Sequence, residues 1–194
     1  MKKCYLLSIL LLIIISLLLF FSRKKIKKVF FPEKKIYISK LVSHEDKKLI
    51  RLLNKALADE WLAYYQYWIG SKVVKGKLRE ETVHELIEHA NDEKKHADML
   101  VPHILKLGGI PILEFRYIRK ISNCDYIAPP SDGDLKLILM QNIEAERCAI
   151  KVYKDLLNVL DDQYPKLKKD LIFILKEEEE HELDLLKILK KINY

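Results

Sequence analysis

Six residues of this chain have the types and the spacing to hold two metal cations: Glu60, Glu93, His96, Glu146, Glu178 and His181. They fall into two sets of three. Glu60 is followed 33 residues later by Glu93 and then by His96, and Glu146 is followed 32 residues later by Glu178 and then by His181. Glutamate and histidine at i and i+3 lie on one face of a helix, so both can reach one ion. Two carboxylates and one imidazole from each half give six ligands for two ions. This is the constellation of dinuclear centres inside helical bundles, with a Glu from each of two helices and Glu-x-x-His from the other two.

Such a centre needs four helices to carry it, and the sequence supplies four helical runs. The first starts near Ser43, whose hydroxyl can cap it, and continues to about Val74. The second runs from about Leu78 to Leu107 and meets a stop signal at Gly108, Gly109 and Pro111. The third opens after Ser131 and Asp132 and reaches about Leu160; the fourth begins at Pro165 and ends near Ile192. Short joints within each pair predict two antiparallel hairpins. Between the hairpins lies a long segment from Gly108 to Gly133, long enough to cross the length of a bundle. The fold class is therefore all-α, a four-helix bundle of two hairpins and one crossover.

Each run keeps an apolar stripe at alternating steps of three and four, and each stripe has one glutamate in its middle. Leu49, Leu53 and Ala56 lead to Glu60; Leu86 and Ala90 lead to Glu93; Leu139 and Ile143 lead to Glu146; Leu171 and Ile174 lead to Glu178. A buried, unpaired carboxylate costs on the order of several kcal/mol. Four at one depth repel one another unless cations stand between them. Glu144 is an alternative ligand on the third helix, but it lies off the stripe, so Glu146 is preferred.

Charge is distributed unevenly. Residues 1–40 carry ten Lys/Arg and one acidic residue, whereas residues 41–194 carry 25 Lys/Arg and 27 Asp/Glu. The net charge of +7 thus belongs to the N-terminus and gives no basic face for nucleic acid on the folded part. From Cys4 to Ser22 there are 19 uncharged, mostly apolar residues. As a helix they would span roughly 28 Å, about the hydrocarbon core of a bilayer. The expected organisation is an N-terminal transmembrane anchor over 1–22, a basic tether over 23–42 and the helical domain over 43–194. Flanking charge orients that domain toward the cytoplasm, with export after signal cleavage as the alternative. Cys4, Cys124 and Cys148 show no CxxC spacing, so neither a disulfide framework nor a zinc ribbon is expected.

Through LNKALADEWLAYYQYW, EHANDEKKHADML, LGGIP and EEEEHELDLL, residues 43–194 resemble the bacterioferritin branch of the ferritin-like superfamily. The resemblance implies a ferritin-like di-iron bundle in which Glu93 and Glu178 bridge the ions. It implies ferroxidase chemistry on Fe(II) with oxygen or hydrogen peroxide, iron storage, and a homo-oligomer. Two iron ions per subunit are expected; manganese or zinc would also suit these donors. In haem-bearing bacterioferritins a methionine follows the Glu of the second-helix motif. Lys94 occupies that position here, so no haem is expected. The alternatives are a rubrerythrin-like peroxidase or other di-metal oxidoreductase, and a non-catalytic, membrane-tethered iron-binding bundle.

The neighbours have plainer readings. His89 and His103 lie seven residues from His96, about 10 Å along a helix, too far to share its ion, and read as polar or interface residues. Glu85, Glu88, Asp92, Glu177, Glu179 and Glu180 read as solvated faces. Tyr64, Tyr67 and Tyr153 read as core packing.

Overall fold

The computed structural model describes residues 42–192. They form five α-helices and a single 3₁₀ turn: α1 (His44–Val73), α2 (Arg79–Lys106), the 3₁₀ turn (Phe115–Tyr117), α3 (Ile118–Ile121), α4 (Leu135–Val159) and α5 (Pro165–Ile192). No strand occurs among the described residues, only an isolated bridge between Lys75 and Asp134. The four long helices begin and end within about two residues of the expected positions. Capping explains this: Ser43 Oγ accepts from the Asp46 amide, and Asp134 accepts from that of Leu137. At the far end of α2, Gly108 has φ +78°, a left-handed conformation open to glycine without strain.

Side-chain pairs give the helix directions. Tyr67 on α1 bonds Glu146 on α4, and Tyr153 bonds Glu60, so the later residue of one meets the earlier of the other. Likewise Lys191 pairs with Glu81, and His103 with Asp170, across α5 and α2. Both pairs are antiparallel. With each hairpin also antiparallel, α2 and α4 run in the same sense, and the chain must travel the bundle's length to join them.

That crossover runs along α1, pinned by polar side chains of that helix. Asn54 donates to the Ile110 carbonyl. Asp59 accepts from the Asn123 and Cys124 amides at 2.7 and 2.9 Å, and from the Asn123 side chain at 2.6 Å. Gln66 accepts from the Ile127 amide. Gly133 closes the path with φ +76°, where a Cβ would stand 2.2 Å from the Val73 carbonyl oxygen. Burial pushes the Asp59 carboxyl up to about 6, against the hydrogen bonds that favour its charge. Sequence reading treated this segment as plain connection; the 3₁₀ turn and α3 within it were not expected.

A second correction concerns the cysteines. Cys124 of the crossover and Cys148 of α4 form a disulfide with a Cα–Cα separation of 5.8 Å. Their pairing depends on the crossover lying beside α4, which no sequence spacing encodes. Replacing Cys148 by serine is expected to lower stability by about 3 kcal/mol, from the entropy of closing a loop of this length. Calorimetry without reductant should show a Tm lower by roughly 6–12 °C; a fall below about 2 °C would mean that Asp59 and Gln66 already hold the loop.

The anchor expected over 1–22 and nearly all of the tether over 23–42 lie outside the described residues. Within those described, no helix is long and apolar enough to cross a membrane. The physical reason is the amphipathic pattern: every long helix interrupts its apolar stripe with charged residues on the other face. The membrane-anchored location is corrected below, on a relative of the chain.

Candidate metal centre

The apolar core is divided in two. One cluster gathers Leu53, Leu57, Leu100, Ile104, Leu171 and Ile174; the other gathers Tyr67, Leu86, Ile138, Leu139, Leu185 and Ile188. Between them lies a polar layer made of Glu60, Glu93, His96, Glu146, Glu178 and His181, each no more than 4% exposed. The stripes put them there, because every apolar neighbour three or four residues away is itself drawn into the core.

Within the layer the six residues form two overlapping groups, Glu60–Glu93–His96–Glu178 and Glu93–Glu146–Glu178–His181. His96 Nδ1 faces Glu178 Oε1 at 3.1 Å, Glu60 Oε2 at 3.3 Å and Glu93 Oε2 at 3.4 Å. His181 Nδ1 faces Glu93 Oε1 at 3.5 Å, Glu178 Oε2 at 3.6 Å and Glu146 Oε2 at 3.9 Å. Glu93 and Glu178 therefore divide their oxygens between the two histidines, as bridging carboxylates would. Glu60 and Glu146 each serve one side. Glu144 stands outside, exposed and paired with Arg147 at 2.6 Å.

Unspent hydrogen-bonding capacity converges on this point. Glu60 Oε2, Glu93 Oε1, His96 Nδ1, Glu146 Oε2, both Glu178 oxygens and His181 Nδ1 are buried with no hydrogen-bond partner among the described residues. Buried polar atoms in native proteins are nearly always satisfied, so a cluster of such orphans calls for a ligand. Carboxylates with two imidazoles fit iron, manganese or zinc, and the donor set is full enough for two divalent cations.

Protons stand in for cations when the centre holds none. Burial raises Glu60, and repulsion from Glu178 raises it further; burial followed by Glu178 and Glu93 does the same to Glu146. For Glu178 burial also opposes charge, but the nearby imidazoles of His181 and His96 outweigh it and hold the group below the usual range. Burial disfavours the charged imidazoles too. The carboxylates crowded against each ring overcome this, Glu178, Glu60 and Glu93 beside His96 and Asp92, Glu178 and Glu93 beside His181, so both rise well above the ordinary value.

Sequence reading missed the residues that flank the candidate ligands. Glu177 Oε2 lies 2.8 Å from His96 Nε2, and Asp92 Oδ2 lies 3.7 Å from His181 Nε2. Both acids had been assigned to solvated faces. A carboxylate that accepts from the N–H of one ring nitrogen leaves the other nitrogen's lone pair for a metal. Tyr67 donates to Glu146 and Tyr153 to Glu60, which occupies one oxygen of each and leaves the other facing the centre. A signal was present in the repeat: an acid precedes Glu93 and Glu178 alike, and a tyrosine follows Glu60 and Glu146 alike by seven residues. His89 was read as too distant, yet its ring stacks on that of His181 at 3.9 Å between centroids. Burial and the neighbouring His181 push its pKa down to about 3.

On the crossover side a small cavity of about 20 Å³ reaches Glu60, Glu93, Glu146 and Glu178. Ala63 and Ala149, three residues beyond the first glutamate of each half, leave this gap, and Cys124 and Asp125 line its outer side. It is large enough for about one water.

A family model for the ferritin-like domain matches residues 50–194. The chain belongs to the ferritin-like family. The DNA protection during starvation protein of Pyrococcus furiosus is 36% identical over 136 residues, covering 70% of this chain and 73% of that protein. Among solved structures, the dodecameric thioferritin of Bacteroides fragilis, a bacterioferritin-related protein, is 40% identical with a TM-score of 0.74, over 76% of this chain and 88% of that one. A ferritin-like, diiron-carboxylate protein of Bacillus anthracis is 25% identical with a TM-score of 0.64, over 76% and 99%. The P. furiosus relative is named for protecting DNA and not for work at a membrane. This overturns the expected membrane-anchored location of the ferritin-like chain.

Proposed function

We propose that this ferritin-like protein oxidises Fe(II) at a di-iron centre made by Glu60, Glu93, His96, Glu146, Glu178 and His181, and sequesters the product in a homo-oligomer. The observation that carries the reading is the convergence of unpartnered oxygens and nitrogens from four helices on one buried layer. Two Fe(II) ions, one in each group, would each give up one electron to dioxygen or hydrogen peroxide, which accepts two.

The chain's own residues prepare that exchange. Glu93 and Glu178 would hold the two ions at a fixed separation through their divided oxygens. Tyr67 and Tyr153 keep Glu146 and Glu60 turned inward. Glu177 and Asp92 hold the histidine rings with Nδ1 toward the centre. The two apolar clusters exclude bulk water above and below, which strengthens each electrostatic contact within. Glu60 and Glu146 must lose protons as iron arrives, so loading releases acid.

Support for an oligomer comes from the B. fragilis relative, which is a dodecameric thioferritin. The test is the iron retained per chain after aerobic Fe(II) loading and desalting. Tens of irons per chain are expected, far above the two ligated by a dinuclear centre. About two per chain would keep the centre and reject storage; none, with no oxidation, would reject the function.

A further inference from the structure

On the dinuclear reading above, we infer that His89 is a further donor to that centre, serving the ion held by Glu146 and His181. The ion beside Glu60 and His96 has no such extra imidazole, so the two ions are bound unequally. Potential ligand atoms of His89, Glu146 and His181 lie within 4.8 Å of one another, and all three residues are buried. They come from three helices, His89 from α2, Glu146 from α4 and His181 from α5.

The atom that calls for a ligand is His89 Nδ1. The residue is 2% exposed, and this nitrogen has no hydrogen-bond partner among the described residues. The ring's other nitrogen, Nε2, faces Glu85 Oε1 at 3.3 Å. His96 and His181 are built alike, with Glu177 and Asp92 at their Nε2 atoms and their Nδ1 atoms unpartnered. Three imidazoles thus share one device: a carboxylate that accepts from the N–H at Nε2 leaves the Nδ1 lone pair for a metal. The His89 and His181 rings are stacked with centroids 3.9 Å apart, whereas the His96 ring lies 6.1 Å from that of His181. His89 therefore belongs to the His181 side. In the internal repeat Glu93 and His96 correspond to Glu178 and His181, so the counterpart of His89 is Ile174, an ordinary core residue. One half of the bundle places a buried imidazole where the other half places a hydrocarbon.

Packing is the competing account, since Tyr67 also meets the His89 ring edge-on, with centroids 5.1 Å apart. An aromatic hydrocarbon would fill that space as well and would leave no buried nitrogen without a partner. The added donor bears on which cation each side prefers. Imidazole suits Fe(II), Co(II) and Zn(II), whereas carboxylate and water suit Mn(II). The His181 side is thus expected to hold Co(II) more tightly than the His96 side.

Co(II) reads the difference without turnover. The full-length protein is titrated anaerobically with Co(II) alone and followed by calorimetry, with circular dichroism confirming the fold of each variant. The wild type is expected to take up two ions in two steps. The tighter step survives Glu60→Gln and is lost in Glu146→Gln. His89→Phe keeps a flat ring against His181 and removes the donor. It still binds two ions, but the tighter step weakens by at least about 10-fold, the cost of losing even an orienting neighbour. His89→Ile, which copies the residue of the other half, is expected to do the same. An unchanged tighter step in either His89 variant would overturn the inference and leave the dinuclear centre intact. So would a tighter step that is lost in Glu60→Gln and kept in Glu146→Gln. A wild type that binds no more than one ion would reject the dinuclear centre, and the role of His89 with it.

Discussion

Replacing Glu60 and Glu146 together by glutamine is expected to slow the initial oxidation of Fe(II) by at least about 100-fold and to make the ion-free protein more heat-stable. The rate follows from ligand loss. Removing a residue that merely orients a ligand typically costs 10–100-fold, so removing one ligand from each ion sets the floor near the upper figure. The stability gain follows from the same carboxylates. Each is fully buried, and burial and neighbouring carboxylates both disfavour its charge. Glutamine keeps the shape and can still accept from Tyr153 or Tyr67, but it brings no charge. Stopped-flow oxidation at neutral pH and calorimetry of the ion-free proteins check the two halves separately. Unchanged oxidation would reject the centre. A lower Tm in the ion-free variant would show that these carboxylates serve the fold and not the metal.

The second large effect is a stabilisation by metal that grows with pH. In the ion-free native protein Glu60, Glu146, His96 and His181 all have pKa values above their ordinary ones. The unfolded chain releases these protons near pH 4.3 for glutamate and 6.5 for histidine. Above those values the native state binds more protons than the unfolded state, so the stability of the ion-free protein falls as pH rises. Glu178, held below its ordinary value, acts in the opposite sense, but its contribution is complete once pH exceeds about 4.3. Metal binding needs the deprotonated ligands and so strengthens as pH rises. The second trend widens the gap between metal-loaded and ion-free protein from pH 5 to pH 8, because that gap is the binding free energy of the native state. With Zn(II) held at one concentration, about 100 times its dissociation constant at pH 8, the gain at pH 8 is about 2.7 kcal/mol, or roughly 5–11 °C in Tm for a chain of this size, and at pH 5 the same concentration gives less. Calorimetry at pH 5 and pH 8, with and without Zn(II), measures the difference. A gain at pH 5 as large as that at pH 8 would contradict the proton linkage.

Much of this protein is legible because its main signals are local. The step of three and four residues that buries Leu53, Ala56 and Glu60 on one face is a property of a single helix, as is the pairing of Glu93 with His96. The duplication of that pattern at Glu146, Glu178 and His181 made two ligand sets visible without any knowledge of how the helices pack. Loop lengths added the hairpins, because a joint of a few residues between long helices leaves little choice but an antiparallel return.

Tertiary structure decided what depends on register between elements. Whether Glu177 orients His96 or faces water is a question of how α5 slides against α2, and no spacing within either helix answers it. The crossover is the clearest case. Asn54, Asp59 and Gln66 look like ordinary polar residues of α1 until the chain is laid along them, and only then do Cys124 and Cys148 come within 5.8 Å. His89 was read as distant from His96 along its own helix and as a polar or interface residue; α5 brings the His181 ring onto its face, which spacing along α2 does not encode. Local periodicity sets which side chains point inward; long-range packing sets which of them meet. In this protein the first gave the six residues of the buried polar layer, and the second gave how their oxygens divide between the two histidines, the acids and tyrosines beside them and the nearby disulfide.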